Sequence, residues 1–305
     1  MRVLNLVTTS RSRFFRHQVE TLESMAVRCE TVAVPGHPAT GETRSPIDYL
    51  RFFPTVLRRS FGQYDLIHAN FGLTAPHALL QYRLPVVVSL WGTDLFGPYG
   101  WVSELCGRHA DAVIVMSEAM AERLDYDCEV IPHGVDTELF RPVDPEAACR
   151  DVGWDPAEAN VLFPYDPGRE VKDTPLATRV VDAARDRLDR PINLRVVFGI
   201  PQERMPTYMG AADALLLTSR WEGSPNSVKE ALACNLPVVG RPVGDVPERL
   251  ADVEPSVVGR SEADLVDGLV EVLRAGGRSN GRESVRDLSQ ERVAERIRDV
   301  YERVL

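Results

Sequence analysis

The sequence predicts an α/β protein made of two doubly wound parallel sheets that face one another. Short apolar runs recur along all 305 residues, separated by helical patterns, as strands buried on both faces require. The alternation breaks once, at PHGVDTELFRPVDPEAA (132–148), whose prolines and acidic residues read as an interdomain connection. Beyond that break a second strand–helix series begins.

The first series places strands at 3–7, 31–34, 66–69, 85–90, 112–116 and 129–131, with a helix over 17–25. The second places strands at 161–163, 194–198, 214–217 and 237–239. Domains over 1–140 and 141–289 follow, with a C-terminal helix over 290–305 free to pack back on the first. Ligands of such sheets bind beyond the carboxyl ends of the strands, which makes the cleft between domains the expected site.

Composition narrows the function classes. A hydrophobic content of 44% fills two cores, and no run approaches 18 apolar residues. Neither a signal peptide nor a membrane span is expected, so the predicted location is cytoplasmic. The five cysteines are scattered without a C-x-x-C pair, as reduced, buried thiols would be. Net charge is −10, too acidic for general nucleic-acid binding, although residues 1–64 hold nine Arg against five Asp and Glu. Only Lys172 and Lys229 are lysines, and such an acidic, lysine-poor surface suits a high-salt cytoplasm.

The densest chemical signal is SRWEGSPNSVKEALACNLPVV (219–239). Glu222 and Glu230 flank Gly223-Ser224-Pro225 directly after the apolar run 214–217. With a helix over 228–234, Ser224 reads as its N-cap and Pro225 as its first residue. Amide groups and a positive helix end would then face the ligand, Gly223 would admit its backbone, and a diphosphate would sit between the two carboxylates. A glutamate pair at this spacing is common on solvated surfaces, so the strand–turn–helix context carries the inference. No Asp-x-Asp lies in this segment.

The ordered segments YDLIHANFGLTAP (64–76), VVVSLWGTDLFG (86–97), ADAVIVMSEAMAERL (110–124), VIPHGVDTELFRP (130–142), LFPYDPGREVKDTPLA (162–177) and 208–250 resemble the retaining glycosyltransferases of family 4, across nearly the whole chain. The resemblance implies the GT-B fold, two facing Rossmann-like domains, the first on the acceptor side and the second binding a nucleotide-sugar donor. It implies a metal-independent hexosyltransferase without a cofactor. Arg169 and Lys172 match the basic pair that grips the donor diphosphate, where fixed cations stabilise the leaving group. Glu230 matches the carboxylate on the ribose hydroxyls and Glu222 the one beside the transferred sugar. Gly223, Ser224, Pro225 and Asn226 supply the turn between them, and Ile200 stands where the nucleobase packs or is plain core. Lys229 is expected on the solvated outer face of the helix. Retention implies that the leaving phosphate helps remove the acceptor proton in an oxocarbenium-like step, in preference to a covalent intermediate on Glu222.

On the acceptor side the resemblance implies roles for His68, Asn70, Trp91, Asp94 and Arg13, with His68 catalytic. Asn70 replaces a histidine usual in the family and cannot shuttle a proton near neutral pH. Trp91, also in place of a histidine, is either a sugar-stacking platform or a packing residue. Arg11, Arg13 and Arg16 occupy the region of a double glycine and either meet an acceptor phosphate or coat a helix start. His133 reads as structural. Residues 45–64 set Phe52, Phe53, Val56 and Leu57 among Arg51, Arg58 and Arg59, with Pro54 interrupting the helix. That pattern fits a segment docked peripherally on an anionic membrane over a lipid-linked acceptor, or a basic helix packed on the core. The leading function is sugar transfer to a glycan, glycolipid or lipid-linked acceptor. A nucleotide-sugar epimerase and a non-catalytic sugar-nucleotide-like scaffold are the alternatives.

Overall fold

The computed structural model describes residues 1–36 and 45–305. It divides into two compact units, Met1–Gly134 with Gln290–Leu305, and Val135–Ser289.

The first unit carries β1 (Arg2–Val7), β2 (Arg28–Ala33), β3 (Leu66–Ala69), β4 (Val86–Ser89), β5 (Ala112–Val115) and β6 (Glu129–Val130). They form one parallel sheet in the order β2-β1-β3-β4-β5-β6. The order reverses between β1 and β3, which makes the ends of those strands the place where a ligand fits such a sheet. The hydrophobic runs explain the pairing, since β3 and β4 are buried at every position. The last helix, Gln290–Val304, buries Val293, Ala294, Ile297, Val300 and Tyr301 in this unit.

The second unit carries β7 (Ala159–Phe163), β8 (Ile192–Val196), β9 (Ala214–Leu217), β10 (Val238–Gly240) and β11 (Val257–Val258), again all parallel, in the order β11-β10-β9-β7-β8. Its reversal lies between β7 and β9. Both units are therefore the doubly wound sheets that the sequence predicts, in the two-domain GT-B pattern. Strand ends differ from the predicted ones by a few residues, as element boundaries do.

One helix departs from expectation. The segment Pro46–Ser60 is a single helix that runs through Pro54 without interruption, opened by a capping box between Ser45 and Asp48. Leu50, whose carbonyl loses its amide partner to the proline four residues on, is 73% exposed, so water can take that partner's place. Phe52 and Val56 point into the core, leaving Ile47 and Leu50 outward with Arg51 and Arg58. No described helix is long and apolar enough to cross a membrane.

Candidate functional site

The second unit sets Arg169, Lys172 and Glu222 on the segments that follow β7 and β9, where its strand order reverses. After β7 the chain passes Tyr165 and enters a loop holding Arg169 and Lys172. After β9 it passes Thr218 and turns through Glu222–Pro225 into the helix Asn226–Ala233. The two segments are tied together. The Thr218 hydroxyl donates to the Lys172 carbonyl (2.7 Å), and the Arg220 amide to the Val171 carbonyl (2.9 Å). Asp173, in a left-handed conformation with φ 52°, caps the following helix and meets Arg220 Nε at 3.3 Å.

This bracing sets Lys172 against Glu222 in a salt bridge, with its Nζ 4.1 Å from the Tyr165 ring centroid. Lys172 is 5% exposed. Burial lowers its pKa and the Glu222 carboxylate opposes that shift, while exposed Arg169 adds to the lowering. Tyr165 is buried, shares a 2.5 Å hydrogen bond with Ser227 Oγ, and packs edge-on against Phe163. Burial foremost, and the charge of Glu222, push its phenol up, so it stays a neutral donor or acceptor at physiological pH. Glu230 lies one turn into the helix and accepts from Gln202 Nε2 at 3.4 Å. Ile200 is half-buried beside an open groove of about 450 Å³ that also has Trp154, Phe198 and Tyr208 in its lining.

Two local expectations are corrected. Pro225 occupies the N-cap position and no side chain caps this helix. Ser224 does not cap because its hydroxyl donates to Asp245 Oδ2 at 2.7 Å. Lys229 is not on a solvated face; it is 1% exposed, with its pKa brought down to about 8 by burial and held up by Asp245. The sequence carries a signal for this, since Val228, Ala231, Leu232, Ala233 and Cys234 leave the helix almost no outer face.

The predicted acceptor-side residues lie in the first unit and are mostly committed to its own structure. His68 is fully buried, with Nδ1 2.6 Å from the Tyr301 hydroxyl and Nε2 2.7 Å from Ser89 Oγ. Burial drops its pKa to about 3, and a fully enclosed, neutral ring held by two hydroxyls does not fit the catalytic role expected of it. Asn70 is also buried; it accepts from Gln18 and donates to Asn5 Oδ1 and the His68 carbonyl. Asp94 is 2% exposed and accepts from the amides of Gly72 (2.7 Å), Trp91 (2.8 Å) and Gly92 (2.9 Å). It is a clamp on two loops, one of which holds Gly92 at φ 112°. Trp91 is half-buried and meets Phe14, Phe71 and His133 edge to face at ring distances of 4.7, 5.9 and 5.3 Å, so packing accounts for much of it. Arg11, Arg13 and Arg16 are exposed. Among the described residues no group of three His, Cys, Asp or Glu side chains could hold a metal ion.

Comparison with known proteins decides the kinship. The family model "Glycosyltransferase Family 4" matches residues 4–139, and "Glycosyl transferases group 1" matches residues 176–275. The chain is a GT-B glycosyltransferase related to these two families. This glycosyltransferase is 28% identical over 291 residues to a GDP-mannose-dependent α-(1-6)-phosphatidylinositol monomannoside mannosyltransferase of Mycolicibacterium smegmatis, covering 77% of the chain and 75% of that protein. It is 30% identical over 172 residues to the lipopolysaccharide core biosynthesis mannosyltransferase LpsB of Rhizobium meliloti, covering 48% of the chain and 49% of that protein. Its fold matches sucrose-phosphate synthase of Thermosynechococcus elongatus with a TM-score of 0.79 at 19% identity, over 99% of both chains. The Anabaena protein HepE in complex with UDP and glucose matches with a TM-score of 0.71 at 17% identity, also over 99% of both.

Proposed function

We propose that the chain transfers a sugar from a nucleoside diphosphate sugar to a glycan, glycolipid or lipid-linked acceptor with retention of configuration. The observation that carries this reading is the buried Lys172–Glu222 pair at the strand-order reversal, with Arg169, Tyr165 and Glu230 around it. Named relatives supply the donor class, one being GDP-mannose-dependent and another bound to UDP.

In this mechanism the diphosphate enters beside Arg169, Lys172 and the uncapped helix start. Lys172 has three N–H donors, so it can hold Glu222 and a phosphate oxygen together. The bond from the sugar's anomeric carbon to the phosphate oxygen breaks while the acceptor oxygen bonds to the same carbon on the same face. The acceptor proton passes to the departing phosphate, whose growing charge the two cations stabilise. Glu222 orients the sugar, Glu230 takes the ribose hydroxyls, Gly223–Asn226 line the phosphates, and Ile200 borders the base. Exposed Arg13 and half-buried Trp91 remain the acceptor-side candidates, supported also by the commitment of His68, Asn70 and Asp94 elsewhere. For a lipid-linked acceptor, the outward set Ile47, Leu50 and Phe61 beside Arg51 and Arg58 supports peripheral contact with an anionic membrane. It replaces Phe52 and Val56, which are core.

The test is transfer from UDP- and GDP-sugars to simple glycosides, with the product anomer read by proton NMR. A retained anomer from the wild type and loss of turnover in Glu222→Ala support the reading. An inverted product, or full turnover by Glu222→Ala, overturns it.

A further inference from the structure

The turn that bears Glu222 is held from behind by a buried charged cluster that none of the roles above uses. Asp245, 5% exposed, accepts from Ser224 Oγ at 2.7 Å and from Arg249 Nε at 3.3 Å. Lys229, on the helix that follows the turn, is the buried cation whose charge Asp245 supports. Arg249 reaches on to the Ser284 carbonyl and to Asp287. Backbone packing joins the same two segments. Gly244 has φ 56°, and a Cβ there would come within 2.3 Å of the Gly223 carbonyl oxygen.

Pro225 holds the N-cap position and has no polar side chain to cap the first-turn amides, and Ser224, one residue before it, is tied to Asp245. The start of the helix is thereby anchored to Asp245 through one hydroxyl. A carboxylate buried this deeply persists only with a cation beside it, and Arg249 supplies one.

We propose that Asp245, paired with Arg249, is a positioning residue for donor binding: through the Ser224 hydroxyl it fixes the turn between Glu222 and Glu230, so that the uncapped helix start faces the diphosphate. This rests on the donor reading above. The role is indirect, because Asp245 touches the turn and not the ligand.

Calorimetric titration with UDP and with GDP tests it, using the wild type, Ser224→Ala, Asp245→Ala and the double variant, each with its melting temperature. Each single variant loses affinity about tenfold, and the double variant is no worse than Asp245→Ala, because both residues act through one hydrogen bond. Ser224→Ala keeps a melting temperature near that of the wild type, which separates the loss of affinity from a loss of fold. A Ser224→Ala or Asp245→Ala protein that binds within twofold of wild type, or a double variant whose loss is the product of the two single losses, overturns the positioning role while leaving the donor reading intact. A folded wild type that binds neither nucleotide overturns the donor reading and the positioning role with it.

Discussion

Replacing Glu222 with glutamine leaves the Lys172 ammonium facing a neutral amide inside the protein. Their side chains are 7% and 17% exposed, so this is a buried pair and not a surface one. Breaking a buried pair by removing one partner costs about 3–5 kcal/mol, and the water that reaches Glu222 favours the lower end. The Tyr165 ring stays under the ammonium in both proteins and cancels from the difference. A loss of about 3 kcal/mol corresponds to roughly 6–12 °C at about 2–4 °C per kcal/mol for a unit of this size. Scanning calorimetry that resolves the transition of Val135–Ser289 measures it, with Lys172→Met/Glu222→Gln as the closing corner of the cycle. The double variant recovers most of the loss, because an apolar pair of similar size often replaces a buried ion pair at little cost. A Glu222→Gln protein within about 1 kcal/mol of wild type, or a double variant as poor as the sum of the singles, refutes the argument.

Further outcomes are expected from the same structure. His68 has a folded pKa of about 3 against an ordinary 6.5, so the unfolded chain takes up the proton first as pH falls. Stability should therefore drop between pH 6.5 and 3, by up to about 4–5 kcal/mol, and urea midpoints across that range should flatten in His68→Asn. Lys229 works in the other window. Its pKa of about 8 lies below the ordinary 10.5, so stability from this group rises as pH climbs from 8 towards 10.5, and Lys229→Met should abolish that slope. Gly244→Ala puts a methyl carbon against the Gly223 carbonyl in a left-handed conformation, and should weaken UDP or GDP binding by at least tenfold in the calorimeter while the first unit's transition is unmoved. Flotation on anionic vesicles should fall when Ile47, Leu50, Arg51 and Arg58 are replaced by serine; equal partitioning would remove the membrane contact from the reading.

Much of the fold was legible because parallel strands leave an unambiguous mark. The runs at 66–69 and 214–217 match β3 and β9, buried at all four positions each. Pro54 misled because the rule against internal proline assumes a carbonyl with nowhere else to turn, and Leu50 faces water. At the candidate site, Glu222 and Lys172 were legible through the motif, but their direct pairing was not, since it depends on Thr218 and Arg220 bracing one loop against another. For His68, residue type suggests chemistry, whereas its burial is decided by a partner distant in sequence, Tyr301. For Lys229 the signal was there, in the apolar neighbours that leave its helix almost no outer face.

Both lysines of the chain are interior, Lys172 at 5% and Lys229 at 1% exposure, and both belong to the unit Val135–Ser289. The folded surface is cationic through arginine alone. Amine-directed reagents such as succinimidyl esters therefore find no well-exposed side-chain amine in the native protein, and preferential labelling of the α-amino group is attainable without mutagenesis. A lysine-specific protease likewise has nothing to cut until this unit opens, so its two cleavages become a clock for the opening of the unit that holds the Lys172–Glu222 site, silent to events in the other.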